Sequence, residues 1–144
     1  MGETFTGGYN GVGLASTEYV KMTGTMTGPN LPMALRDHAM VAINNTCSMV
    51  IGGYSGGTSA STFYYDHNEG EWTTGPSLMQ ARIYHAAGIV TDEVTDENFV
   101  AVTGGKYDND ELDSTEILQD GSWVQGNINT TTENPWITRF QSAW

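Results

Sequence analysis

Only five residues, Lys21, Arg36, Arg82, Lys106 and Arg139, carry positive charge against 17 acidic ones, and three of the five are arginines in related surroundings. Arg36-Asp37-His38-Ala39 pairs loosely with Arg82-Ile83-Tyr84-His85-Ala86, and Pro135-Trp136-Ile137-Thr138-Arg139 restores the same landmark. A guanidinium is a planar, permanently charged fork of donors that suits a carboxylate. Two uses follow: a strut to a neighbouring carbonyl or carboxylate, which is the favoured reading, and capture of an acidic peptide. The phased pair His38 and His85 is read as a framework that hydrogen-bonds backbone, because no Cys or acidic partner recurs beside it at metal-ligand spacing. His67 lies in a polar turn and is expected to be solvated.

Other candidate chemistries fail on their own pattern. Asp108-Asn109-Asp110-Glu111-Leu112-Asp113 begins like a calcium loop, but Asp113 stands where the turn glycine belongs and Gln119 where the bidentate glutamate belongs. Thr91 to Glu97 is an acidic stretch expected to face water. No serine or threonine sits in a recognisable nucleophile elbow, and the lone Cys47 has no intramolecular partner and reads as a small packing residue. The expectation is a protein with no catalytic residues, no metal and no cofactor.

The elements that must position these residues are announced by a repeat. An apolar run stopped by a glycine pair occurs as Thr4-Phe5-Thr6-Gly7-Gly8-Tyr9, Ser48-Met49-Val50-Ile51-Gly52-Gly53-Tyr54 and Val100-Ala101-Val102-Thr103-Gly104-Gly105, with the first glycines 45 and 52 residues apart. Ser16-Thr17-Glu18-Tyr19 returns as Ser61-Thr62-Phe63-Tyr64 and Ser114-Thr115-Glu116-Ile117. Trp72 and Trp123 follow that motif after a short turn, with Met26 in the matching place of the first copy, and Thr27-Gly28-Pro29 answers to Thr74-Gly75-Pro76. Landmarks recurring in one order at this period indicate a repeat architecture.

These residues resemble kelch repeats. The resemblance implies an all-β fold of β-propeller blades, each a four-stranded antiparallel sheet, with about three blades in residues 1–144. The first blade, about 4–34, lacks its innermost strand; the second covers about 36–80 and the third about 82–126; residues 127–144 are a loop and the start of a closing innermost strand. Ala39-Met40-Val41-Ala42-Ile43 is almost continuously apolar and reads as an innermost strand buried on both faces. Three blades fall short of the about 4 to 8 that close a propeller, so the remaining blades are expected from a longer parent chain or from a second copy in a homodimer.

Strands alternate in direction within a blade, so the turns after second and fourth strands share one end. That end collects Asn10 to Leu14, Ser55 to Ala60, Lys106 to Asp113 and the three arginines, with Tyr9, Tyr54 and Tyr107 exposed beside the glycines. Arg36, Arg82, Arg139, Tyr9, Tyr54 and Tyr107 are therefore the candidate binding residues. The opposite end holds the acidic stretch with Asp66, Glu69, Glu71 and Asp120. By resemblance, the chain is expected to bind a partner protein or peptide, as the recognition part of a larger assembly such as a ubiquitin-ligase adaptor. The alternative is a catalytic or sugar-binding propeller of oxidase or epimerase type.

A net charge of −12 repels nucleic-acid phosphates and anionic membranes. With no apolar run of membrane-spanning length and no signal sequence at Met1-Gly2-Glu3-Thr4, a soluble cytoplasmic chain is expected. Glu3 and Phe5 favour a strand start over the myristoylation pattern that Met1, Gly2 and Thr6 also fit. The glycosylation patterns at Asn44 and Asn129 would need a secretory route.

Overall fold

The computed structural model describes residues 3–21 and 24–126. Every regular element in them is a strand: β1 (Glu3–Thr6), β2 (Thr17–Lys21), β3 (Gly24–Gly28), β4 (Ala39–Ala42), β5 (Cys47–Ile51), β6 (Thr62–Asp66), β7 (Glu71–Thr74), β8 (Ala86–Thr91), β9 (Asn98–Thr103), β10 (Lys106–Tyr107), β11 (Asp110–Glu111), β12 (Thr115–Gln119) and β13 (Ser122–Gly126). They form antiparallel sheets ordered β1-β2-β3, β4-β5-β6-β7 and β13-β12-β9-β8, with β10-β11 a separate small hairpin. The two complete sheets are the expected blades. Among the described residues the first sheet has three strands, and the stretch expected as a loop from Lys106 to Asp113 contains the β10-β11 hairpin.

Register follows the repeat. Val50 faces Phe63 and Ile51 faces Thr62 in the second sheet, while Val102 faces Glu116 and Thr103 faces Thr115 in the third. The first two glycine pairs each close the strand before them and then couple to the chain entering the next sheet. Gly52 N–H donates to Ser61 O within its sheet at 2.9 Å, and Gly53 N–H donates to Arg82 O at 2.9 Å; Gly7 and Gly8 do the same to Ser16 O and Leu35 O at 2.9 and 2.8 Å. Gly52 and Gly53 have φ of +63° and +105°. A Cβ on either would lie 2.8 Å from a carbonyl oxygen, of Arg82 or Arg36. Glycine is required there on both counts.

The core lies between sheets. Val41, Met49, Ile51, Leu78, Ala87, Val100, Val102 and Trp123 form one buried cluster bridging the second and third sheets. Leu31, Leu35, Val50 and Phe63, with Ala15 packed beside them, join the first sheet's exit to the second. The strand buried on both faces is the second of its sheet, β5, where Ser48 to Ile51 are all buried; β4, expected to be so, leaves Ala42 exposed. The reason is position: β5 has a hydrogen-bonded strand on each side, the cluster shared with the third sheet on one face and that shared with the first sheet's exit on the other, whereas β4 is an edge strand beside β8. No helix of the described residues is long and apolar enough to cross a membrane.

Candidate functional site

The backbone bonds of the repeats place the arginines at different positions. Arg36 bridges Tyr54, the residue after Gly52-Gly53, and Ile83 bridges Lys106, the residue after Gly104-Gly105. Arg36 is therefore equivalent to Ile83. Arg82 is equivalent to Leu35, since the carbonyls of both accept from the second glycine of the preceding sheet. Asp37 and Tyr84, next in line, share a left-handed backbone with φ of +57° and +56°. The one-residue difference is written in the sequence: one residue separates Arg36 from His38, two separate Arg82 from His85.

Arg82 is fully buried. Its Nε donates to Gln80 O at 3.4 Å, Nη1 to Gly104 O and Ser114 O at 2.8 and 3.0 Å, and Nη2 to Ser114 Oγ and Glu116 Oε2, each at 3.0 Å. All five guanidinium donors are thereby used. Glu116 also accepts from Met79 N–H at 2.6 Å and Gln80 N–H at 3.1 Å. Sequence reasoning passed over Glu116; the signal was its place in the Ser-Thr-Glu motif. In the second sheet the same two positions hold Leu35 and Phe63, which share an apolar cluster. Arg82, one of the candidate binding residues, is thus engaged as a strut within its blade, the use favoured above.

Arg36 is at the rim. Its guanidinium carbon lies 4.7 Å from the Tyr9 ring centroid and 4.4 Å from that of Tyr54, within the range of cation–π attraction. Nη1 is 3.5 Å from the Asp37 carboxylate, and the two side chains are 31% and 26% exposed. Arg36, Tyr9 and Tyr54, with Val12, Ala34 and Ser55, line a cavity of about 320 Å³ whose remaining wall is Gly11, Gly13 and Gly56. The elements holding it are the short bridged turns Tyr9–Gly13 and Tyr54–Thr58. Asp37 was not foreseen as a participant.

The remaining candidates disperse. Tyr107 is exposed in the β10-β11 hairpin opposite Asp110, one residue beyond the position of Tyr9 and Tyr54, where Lys106 stands. Arg139, Asn129 and the expected closing segment 127–144 lie outside the described residues, as do Met1 and Gly2. His67, expected to be only solvated, is half-buried, with Nε2 3.0 Å from Ser48 Oγ and its ring edge-on to Tyr65 at 4.9 Å. Burial pushes the half-buried Cys47 thiol up, aided by the charge of Asp66. The acidic Asp92 to Glu97 turn is exposed apart from half-buried Asp92.

The framework reading of the histidines has direct geometry. His85 Nε2 is 2.9 Å from Ile51 O, so the neutral ring donates there, and His38 Nε2 is 3.3 Å from Thr6 Oγ1. Both rings reach the end of the preceding sheet's second strand. Burial holds both below the ordinary histidine range, His85 at about 4, against the opposing hydrogen bonds.

Sheets of four antiparallel strands, coupled by glycine pairs and by buried clusters between them, are propeller blades. Residues 34–79 match the family model described as the kelch motif, and the four-stranded antiparallel sheets are consistent with kelch-type blades. No curated protein matches it.

Proposed function

We propose that this chain is a protein-interaction module that holds a partner protein or peptide through the loop end carrying Tyr9, Arg36 and Tyr54, serving as a recognition part of a larger assembly of the ubiquitin-ligase adaptor kind. The observation that carries the reading is the stack of Arg36 between two tyrosines on short turns. Tyr and Arg are the side chains on which interface energy concentrates, and here they are pre-positioned, so little ordering entropy is lost on contact. Tyr9 is 60% exposed and Val12 65% exposed beside it, which supplies apolar area at the same spot.

The sugar-binding alternative is less well supported, because one face of each of Tyr9 and Tyr54 is already taken by Arg36. The reading is tested by selecting peptides from a displayed random library on the 144-residue chain. Selected binders should lose about tenfold or more in affinity on Arg36→Ala and on Tyr54→Ala. Binders indifferent to both substitutions would contradict it.

A further inference from the structure

We infer that the Tyr9–Arg36–Tyr54 stack is a receptor for a single side-chain carboxylate, Glu or Asp, carried on a segment that is otherwise uncharged or basic, and that Asp37 occupies the place of that carboxylate in the unbound chain. The inference rests on the interaction reading above and names the chemistry of its ligand.

Three observations carry it. The guanidinium carbon lies over both the Tyr9 and the Tyr54 ring, contacts made through its flat faces, and a coplanar carboxylate is the group that fits its in-plane fork with two parallel bonds. Among the described residues that fork makes no hydrogen bond; Asp37 stands 3.5 Å away as a loose ion pair. Arg82, by contrast, spends all five donors. Arg36 also borders space, since it lines a cavity of about 320 Å³ three of whose nine lining residues, Gly11, Gly13 and Gly56, carry no side chain.

The ligand's remaining charge follows from the whole molecule. A net charge of −12 opposes the approach of a polyanionic segment, and among the described residues the ionised group paired with Arg36 is Asp37. Contact chemistry therefore asks for one carboxylate, while the long-range field asks that its neighbours be neutral or cationic. Asp37 is held beside Arg36 by its left-handed backbone, φ +57°, and an incoming carboxylate must displace it. Removing the Asp37 charge should tighten binding.

The test uses blocked pentapeptides with a central Glu and a twin with central Gln, in Ser/Gly, Lys-flanked and Glu-flanked versions, titrated into the 144-residue chain. The readout is the Arg36 Nε and the Tyr9 and Tyr54 ring resonances. The Glu peptide should bind about tenfold or more tightly than its Gln twin, Lys-flanked tighter than Glu-flanked. Asp37→Asn should tighten the Glu peptide about threefold. Arg36→Lys, which keeps the charge but loses the fork, should bring Glu and Gln peptides to equal affinity at an unchanged melting temperature. Equal binding of the Glu and Gln twins to the parent chain, tightest binding by the Glu-flanked peptide, or no tightening in Asp37→Asn would each overturn the inference. A library-selected binder that footprints on Tyr9 and Tyr54 but ignores a Glu→Gln change would overturn it while leaving the interaction reading standing. A binder that footprints elsewhere would count against that reading itself.

Discussion

The indole N–H of Trp123 donates to the carbonyl oxygen of Pro76 at 3.0 Å. Trp72 makes the same bond to Pro29 at 3.0 Å, one repeat earlier. Each outer strand is thus pinned to the Thr-Gly-Pro exit of the sheet before it, by a residue that also fills the space between them. Replacing Trp123, 5% exposed, with Ala should cost about 3–5 kcal/mol, and the half-buried Trp72 less. Trp123→Phe, which keeps the bulk and loses the donor, should cost about 1–3 kcal/mol by leaving the Pro76 carbonyl unpaired. Urea melts check all three; equal loss in Trp123→Phe and Trp123→Ala would locate the energy in the hydrogen bond.

Gly52 and Gly104 occupy the same repeat position, with φ of +63° and +67°, yet their surroundings differ. A Cβ at Gly52 meets Arg82 O and His85 Cε1 at 2.8 Å each, whereas at Gly104 the nearest described atom is Leu112 O at 3.7 Å. Gly104→Val should cost the backbone strain alone, about 1–3 kcal/mol, and Gly52→Val clearly more. Thermal melts that rank them the other way would contradict the coupling of Gly52 to the next blade.

The repeat was legible because glycine pairs, the Ser-Thr motif and tryptophans are each demanded by backbone geometry or by one hydrogen bond, and such demands recur in phase. Strand positions followed from them to within about three residues. The arginines were harder, because Arg36 and Arg82 look alike until the spacing to His38 and His85 is counted and the partner position is read: Phe63 opposite Leu35, Glu116 opposite Arg82. Burial of β5 over β4 could not be read from apolarity, since Ala39 to Ile43 and Ser48 to Ile51 are both apolar runs and only their place in the sheet distinguishes them. Asp37 gave no signal, because its role depends on a left-handed backbone that a sequence does not print.

The exchange of Arg82–Glu116 for Leu35–Phe63 between adjacent blades predicts a swap. Arg82→Leu alone leaves the Glu116 carboxylate buried without its cation and should cost about 3–5 kcal/mol. Adding Glu116→Phe should recover part of that loss, although Met79 and Gln80 then lose their acceptor. A double variant less stable than Arg82→Leu would show that the carboxylate serves the Met79 and Gln80 N–H groups more than the arginine. Chemical denaturation of the three variants decides it.

His85 predicts a pH dependence. Its folded pKa is pushed down to about 4 from 6.5, first by burial and also by the charges of Arg82 and His38, and Nδ1 has no hydrogen-bond partner among the described residues to receive a second proton. The unfolded chain therefore takes up the proton first. The stabilisation is complete above 6.5 and is lost as pH falls from there toward 4, on the order of 3 kcal/mol over the window. His38, lowered in the same direction, adds to the slope. Melting temperature should fall with pH across that range, and less steeply in His85→Gln; parallel curves would exclude His85 as the source.

Hydrogen exchange of the chain with and without a library-selected binder tests the central claim most directly. The account predicts slowed exchange in Tyr9 to Leu14 and Tyr54 to Ala60, the two turns that hold Arg36, with the Asp92 to Glu97 turn at the other end unchanged. Protection confined to Asp92 to Glu97, with the Arg36 turns exchanging as in the free chain, would contradict it.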